Sequence, residues 1–295
     1  MDYTNCRLCP RRCGVDRTRG HRRGVCGMGD QVTAARAALH FWEEPPISGT
    51  RGSGAVFFSG CSLGCEFCQN TEISHERFGK AITPERLREI FEELIAQGAH
   101  NINLVTATHF LPSILPALEP GLTVPVVYNC GGYEAPETLK ALEGKVDIYL
   151  PDLKYAEPDL AARLSHASDY FEVACLAIDE MVRQVGACEF DEDGVLKKGV
   201  IIRHLILPGQ IQNSLKVLDY VAEHFEKGTV LLSLMAQYVP SGKVKHTPPF
   251  DRPITEEEYR AVVDYLYMLD LTDGFLQERS AATAEYLPDF SLEGV

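Results

Sequence analysis

The sequence predicts an α/β fold built as an open or partial (β/α) barrel. Short runs rich in Val, Ile and Leu alternate with helical patterns along most of the chain, and parallel neighbours need such crossover connections. A glycine-flanked run of cysteines also follows directly on the first strand-like segment, where the functional loops of such folds begin. A flat doubly wound sheet is the alternative.

The first strand is read at 55–58, Ala-Val-Phe-Phe, ending at Gly60-Cys61. Thr83-Pro84-Glu85 opens a helix, with Thr83 as cap and Pro84 at a position whose N–H has no helical partner anyway. Leu87, Ile90, Phe91, Leu94 and Ile95 follow the spacing of one helix face, and Gly98 stops it. Further strands are expected at 102–105, 124–128, 146–150, 200–207 and 230–235, with helices near 110–118, 136–143, 157–165 and 214–225. A last helix, 255–271, begins with the capping box Thr255-x-x-Glu258. There is no internal repeat and no low-complexity segment.

At 295 residues the chain can bury a full core, and its 45% hydrophobic and 24% charged residues argue against extended disorder. No apolar run approaches the roughly 18 residues that span a bilayer. No apolar stretch follows Arg22-Arg23 either, so these do not read as an export signal, and a cytoplasmic protein is expected with no membrane partner. The net charge of −14 disfavours nucleic acid. Residues 1–27 nevertheless carry seven Arg, no Lys and two Asp, a net of +5 that leaves −19 on the rest. Such a basic lobe either docks on an acidic surface or merely solvates a small cysteine knot.

Ten cysteines are many for a reducing compartment, and their clustering reads as metal ligation rather than disulfide stapling. Residues 59–70 read Ser-Gly-Cys-Ser-Leu-Gly-Cys-Glu-Phe-Cys-Gln-Asn. Cys61, Cys65 and Cys68 have the spacing of one helix face. Gly60 and Gly64 oppose a helix, each costing about 1 kcal/mol relative to Ala, and favour a loop whose amides approach a cluster. Four thiolates saturate a [4Fe–4S] cube, whereas three leave one iron open.

This segment resembles the Cys-x-x-x-Cys-x-aromatic-Cys signature of the radical S-adenosylmethionine (radical SAM) superfamily, with Phe67 in the aromatic place. Cys68-Gln69-Asn70 is similar to its continuation in glycyl-radical-enzyme activating enzymes. Over nearly the whole chain the resemblance is to pyruvate-formate-lyase-activating-enzyme-like proteins that carry an N-terminal four-cysteine segment. It implies a partial (β/α)6 radical SAM barrel over residues 46–295 behind a small cysteine-rich metal-binding segment, residues 1–45. It further implies a [4Fe–4S] cluster on Cys61, Cys65 and Cys68, with S-adenosylmethionine on the open iron as the source of a 5′-deoxyadenosyl radical. The implied partners are a glycyl radical enzyme or another protein or peptide substrate, with an electron donor such as flavodoxin or ferredoxin. A peptide or small-molecule substrate, and a non-catalytic iron–sulfur or zinc protein on the same fold, are the other readings.

The resemblance also implies cofactor-binding positions at strand ends. Activating enzymes carry Gly-Gly-Glu after the second strand for the methionine amino group; this chain reads Val105-Thr106-Ala107-Thr108-His109 there, so Thr106, Thr108, the backbone or His109 is expected to substitute. Asn129 ends the third strand and Asp152-Leu153-Lys154 the fourth, with Lys154 placed to pair with the methionine carboxylate. Arg203 lies in the Ile-Arg-x-x-x-x-Pro-Gly of the fifth, and Gln237-Tyr238 ends the sixth, where a His is usual. No catalytic acid or base is assigned. His204 reads as a core histidine, Cys130, Cys175 and Cys188 as small buried hydrophobes, and Tyr133 and Glu134 as substrate-side or turn residues.

Cys6, Cys9, Cys13 and Cys26 form a second set whose spacing departs from the bacterial ferredoxin run. It suits a closed zinc site or a second iron–sulfur cluster equally, and a segment so short and so rich in Arg and Gly needs metal to hold its shape.

Overall fold

The computed structural model of the chain describes residues 1–20, 23–282 and 288–295; Arg22, counted above among the N-terminal arginines, lies outside the described residues. The strands are β1 (Val32–His40), β2 (Ser53–Phe58), β3 (Lys80–Ile82), β4 (Ile102–Val105), β5 (Val126–Cys130), β6 (Ile148–Pro151), β7 (Glu189–Phe190), β8 (Leu196–Leu205), β9 (Leu231–Met235) and β10 (Gly274–Leu276). They form one sheet in the order β10-β9-β8-β6-β5-β4-β2-β1-β3, with β7 paired to β8.

The six strands expected from sequence are β2, β4, β5, β6, β8 and β9, and each pairs in parallel with the next along this path. β10 adds a seventh parallel strand beside β9. The path does not close, so the architecture is the expected open α/β barrel. Its strands read as continuous apolar runs because helices cover one face and the barrel interior the other. β2 and β5 are buried at every position.

The helices form where the local signals placed them. In Pro84–Ala96, Thr83 Oγ1 accepts from the Arg86 N–H, and Leu87, Ile90, Phe91 and Leu94 are buried. Phe91 is fully enclosed, so its truncation to Ala would cost about 3–5 kcal/mol. The Thr255/Glu258 capping box is complete at the start of Glu256–Met268.

Several elements carried no sequence assignment, and two of them are long. Tyr170–Val185 is a helix that packs Ala174, Ala177, Ile178 and Met181 into the core. β1 is rich in Ala, the best helix former, yet it lies antiparallel on β2, with Ala34 opposite Phe58 and Ala38 opposite Ala55. Pairing wins because β2 would otherwise expose a row of unsatisfied backbone groups. β1 thus lies inside residues 1–45, the stretch expected to be the metal-binding segment, and belongs to the sheet. β5 and β6 also start two residues later than expected, and β5 ends two residues later, which brings Asn129 and Cys130 into the strand itself.

No helix among the described residues is long and apolar enough to cross a membrane.

Candidate active site at the strand mouths

Residues 59–70, directly after β2, contain neither helix nor strand, which removes the helix-face reading of their cysteines. Gly60 has φ +82°, and a side chain there would collide with Met28 and with the Cys26 carbonyl. Three contacts hold the loop from outside. Glu66 N–H donates to Leu164 O (2.8 Å), and Lys243 N–H donates to Glu66 O (2.8 Å). Arg11 reaches in from the N-terminal segment to Ser62 O (3.0 Å), Leu63 O (3.2 Å) and Ser165 O (2.7 Å).

Cys61, Cys65 and Cys68 are half-buried and line one cavity of about 260 Å³. Ser165 Oγ donates to Cys65 Sγ (3.1 Å) and Ser74 Oγ to Cys68 Sγ (3.2 Å). Burial, reinforced by the neighbouring Cys65 and Cys68, pushes the Cys61 thiol up to about 12, and burial also raises Cys68. Thiols so placed stay protonated until a metal supplies positive charge. The donor set suits a cluster corner-bound by three thiolates.

Across the cavity lies a chain of charges. Arg203 Nε donates to Asp152 Oδ1 (2.9 Å) and its Nη2 to Asn129 Oδ1 (2.7 Å), while Nη1 lies 3.4 Å from Glu43 Oε2. Lys154 Nζ pairs with Asp152 Oδ2. Burial alone would raise Asp152, but Arg203 and Lys154 outweigh it and hold the carboxyl below its ordinary value. Lys154 is likewise drawn up by Asp152 against its own burial. Glu43 accepts from Asn103 (3.0 Å) and Asn129 (3.1 Å), yet burial still raises its carboxyl against the pull of Arg203.

Thr106, Asn129, Asp152, Lys154, Arg203 and Gln237 all line this cavity. Thr106 has φ +62°, a costly conformation for a β-branched residue, held by its N–H donating to Asn129 O (2.9 Å). Phe67 stands one layer behind. Its ring packs on Tyr238 at 6.1 Å and lines an adjoining cavity of about 200 Å³ with Asp152, Lys154, Arg203 and Gln237.

Thr108 faces another way. The 3-10 turn Thr108–Phe110 carries it into the core, where its hydroxyl donates to Glu134 Oε2 (2.8 Å) and meets Tyr128 OH (2.8 Å), away from the cavity lining. His109 turns away too. Its Nε2–H donates to Ser59 O (2.8 Å), and burial lowers the ring to about 3. Of the expected substitutes for Gly-Gly-Glu, Thr106 and the backbone stay at the mouth. His204 is held neutral in the core, donating from Nδ1 to Leu153 O (2.7 Å) and accepting from Ser214 (2.9 Å). Glu134 is buried and pushed up to about 7, and Cys130 lines the cavity.

Sequence reasoning missed Glu43. The only local signal was a pair of acids before Pro45-Pro46, and nothing in it places Glu43 among Asn103, Asn129 and Arg203.

In the N-terminal segment Cys6, Cys9 and Cys26 are buried and Cys13 is half-buried. Backbone turns gather them: Cys6 N–H donates to Val15 O (3.0 Å), Gly14 N–H to Cys6 O (2.9 Å) and Gly27 N–H to Gly24 O (2.8 Å). Burial pushes Cys9 up to about 12 and raises Cys26, against which the Arg17 charge works. Among the described residues, no three His, Cys, Asp or Glu side chains are placed to hold a single metal ion as they stand.

Residues 55–221, more than half of the chain, match the Radical SAM superfamily. The chain is 30% identical over 282 residues to an uncharacterized protein of Methanocaldococcus jannaschii, covering 91% of this chain and 77% of that one. Among solved structures it is similar to Streptococcus suis SuiB bound to the precursor peptide SuiA, with TM-score 0.49 and 13% identity over 74% of this chain and 46% of that one. It is also similar to methylornithine synthase (PylB), with TM-score 0.49 and 14% identity over 79% and 63%. The chain thus spans about half the length of SuiB. With the family match running from β2 across the cysteine loop and over more than half of the chain, this chain belongs to the radical SAM superfamily.

Proposed function

We propose that the chain is a radical SAM enzyme whose cluster is held by Cys61, Cys65 and Cys68, and that it removes hydrogen from the glycyl loop of a partner enzyme. The observation that carries the radical reading is that three thiols and the Asp152–Lys154–Arg203–Asn129 charge chain share one cavity. The glycyl target rests on the family resemblance. When bound, the cluster supplies an electron to S-adenosylmethionine, whose sulfonium–C5′ bond breaks to give the 5′-deoxyadenosyl radical.

The protein's own residues bind and orient. Lys154 offers an ammonium to the methionine carboxylate, which then shares it with Asp152. Arg203 ties Asp152 to Asn129 and so fixes the distance between β5 and the segment after β6. Glu43 supplies a carboxylate for the methionine ammonium in place of the absent Gly-Gly-Glu, and Thr106 presents the end of β4 beside it. Ser165 and Ser74 hydrogen-bond the Cys65 and Cys68 sulfurs, a contact that tunes cluster potential. The electron comes from a carrier of the flavodoxin or ferredoxin type, and oxygen has to be excluded.

A second reading, a free peptide or small-molecule substrate, is favoured by an adjoining cavity of about 420 Å³ lined by Trp42, Glu44, Met235 and Phe275 and sharing Arg203 and Gln237 with the site.

Anaerobic reconstitution followed by dithionite and S-adenosylmethionine tests the proposal: 5′-deoxyadenosine should form. Protein that neither binds S-adenosylmethionine nor forms that product is a non-catalytic member of the fold, and the proposal fails. Lys154→Ala should weaken S-adenosylmethionine binding about tenfold, roughly 1.4 kcal/mol, with iron content unchanged. Equal affinity would remove Lys154 from the site.

A further inference from the structure

We propose that Cys6, Cys9, Cys13 and Cys26 hold a second metal centre, a four-thiolate site carrying two negative charges, for which the buried Arg17 guanidinium is the built-in counter-ion.

Arg17 is the observation that asks for it. Its side chain is fully enclosed, with 0% exposure, yet it makes no ion pair among the described residues. Its N–H groups go to backbone carbonyls, Met28 O and Gly29 O at 3.1 Å and His109 O at 2.7 Å, and to Cys6 Sγ at 3.5 Å. The guanidinium faces the rings of Tyr3 at 4.8 Å and Phe110 at 5.9 Å. Carbonyl dipoles and ring faces satisfy its geometry but supply no net negative charge, and a buried cation without an anion is among the costliest arrangements in a protein. No carboxylate among the described residues is in contact with it; the sulfur it touches belongs to a cysteine of the four-cysteine set.

Neutral thiols do not supply that charge, whereas metal-bound thiolates do. A zinc ion or a [4Fe–4S] cluster in its 2+ state, each bound by four thiolates, leaves a net charge of −2, so the shared chemistry is a four-thiolate dianion. Loading releases the thiol protons and couples metal binding to the folding of this short segment. With three of the cysteines buried, the site is closed, unlike the half-buried trio after β2.

Gly24 lets the groups gather. A Cβ there would crowd Cys26 Sγ at 3.3 Å and Cys13 Sγ at 3.4 Å and would stand 3.6 Å from Arg17 Cδ, so two sulfurs and the arginine side chain converge on one bare stretch of backbone.

The test uses the full chain with Cys61, Cys65 and Cys68 changed to Ala, purified anaerobically. Iron with acid-labile sulfide identifies a cluster and zinc without sulfide a zinc site; either supports the four-thiolate centre. A folded chain holding neither metal, with its N-terminal thiols freely reactive to a thiol reagent, overturns it. In the same background Cys13→Ser should shed the metal while the far-UV circular dichroism is kept, and unchanged metal content overturns the ligand set. Arg17→Met should lower metal affinity about tenfold or more in a chelator competition, with Arg17→Lys recovering part of it. Wild-type affinity in Arg17→Met overturns the counter-ion, and if that variant does not fold, wild-type affinity in Arg17→Lys accompanied by free thiols does the same.

Discussion

The two cysteine-bearing regions differ in what surrounds the sulfur. Around Cys61, Cys65 and Cys68 the loop opens on a cavity, the thiols are half-buried, and carboxylates and cations stand across from them. Around Cys6, Cys9 and Cys26 the thiols are buried, and the side chain that meets the Cys6 sulfur is the Arg17 guanidinium, which has no carboxylate partner among the described residues. An incomplete ligand set beside a cavity suits a reactive centre; a complete set sealed behind an arginine suits a closed one. The regions also touch, because the Cys26 carbonyl packs on Gly60 and Arg11 holds the carbonyls of Ser62 and Leu63.

The largest expected effect breaks the open site alone. Cys65→Ala should reduce 5′-deoxyadenosine formation to background while N-terminal metal is retained, as read by metal analysis beside the cleavage assay. Loss of both metals together would show that the regions are one unit.

The seam between them should respond to acid. His109 sits there, its carbonyl on Arg17 and its ring on Ser59, with a folded pKa of about 3 against the ordinary 6.5. The unfolded chain takes up a proton below pH 6.5 that the folded chain refuses until about pH 3. Stability is therefore full above pH 6.5 and falls across that window, by on the order of 5 kcal/mol. The urea midpoint of wild type should drop more steeply from pH 7 to pH 4 than that of His109→Gln, and parallel slopes would refute the assignment.

A smaller effect concerns the clamp. Arg11→Met removes charged hydrogen bonds worth about 1.5–3 kcal/mol each, so amide exchange over residues 61–66 should quicken by about tenfold or more. Unchanged exchange would mean that Leu164 and Lys243 suffice to hold the loop.

The smallest expected effect is none. Cys130 is a fourth thiol lining the open cavity, and Cys130→Ala should leave barrel iron and S-adenosylmethionine cleavage as they are. A fall in iron would make it a ligand, and the contrast between an open and a closed set would disappear.

Much of the fold was legible because it is written in local periodicity. The helix 84–96 announces itself by its cap and its apolar stripe, and six parallel strands by buried apolar runs between turns. β1 was hidden because its composition favours helix while its hydrogen-bond partner lies some twenty residues away. At the site, Asn129, Asp152, Lys154 and Arg203 were readable as strand-end residues. The direction in which Thr108 faces was not, because a single 3-10 turn decides it.

The sequence alone determined where thiols cluster: two cysteine sets, their spacings, and glycines that oppose a helix through the second. Local covalent geometry suffices for that. Only the tertiary structure decided which distant groups meet, Glu43 with Arg203 across the sheet and Arg17 with Cys6 and the His109 carbonyl. Such meetings follow from strand order and burial, which act between residues far apart in the chain and leave no periodic trace within it.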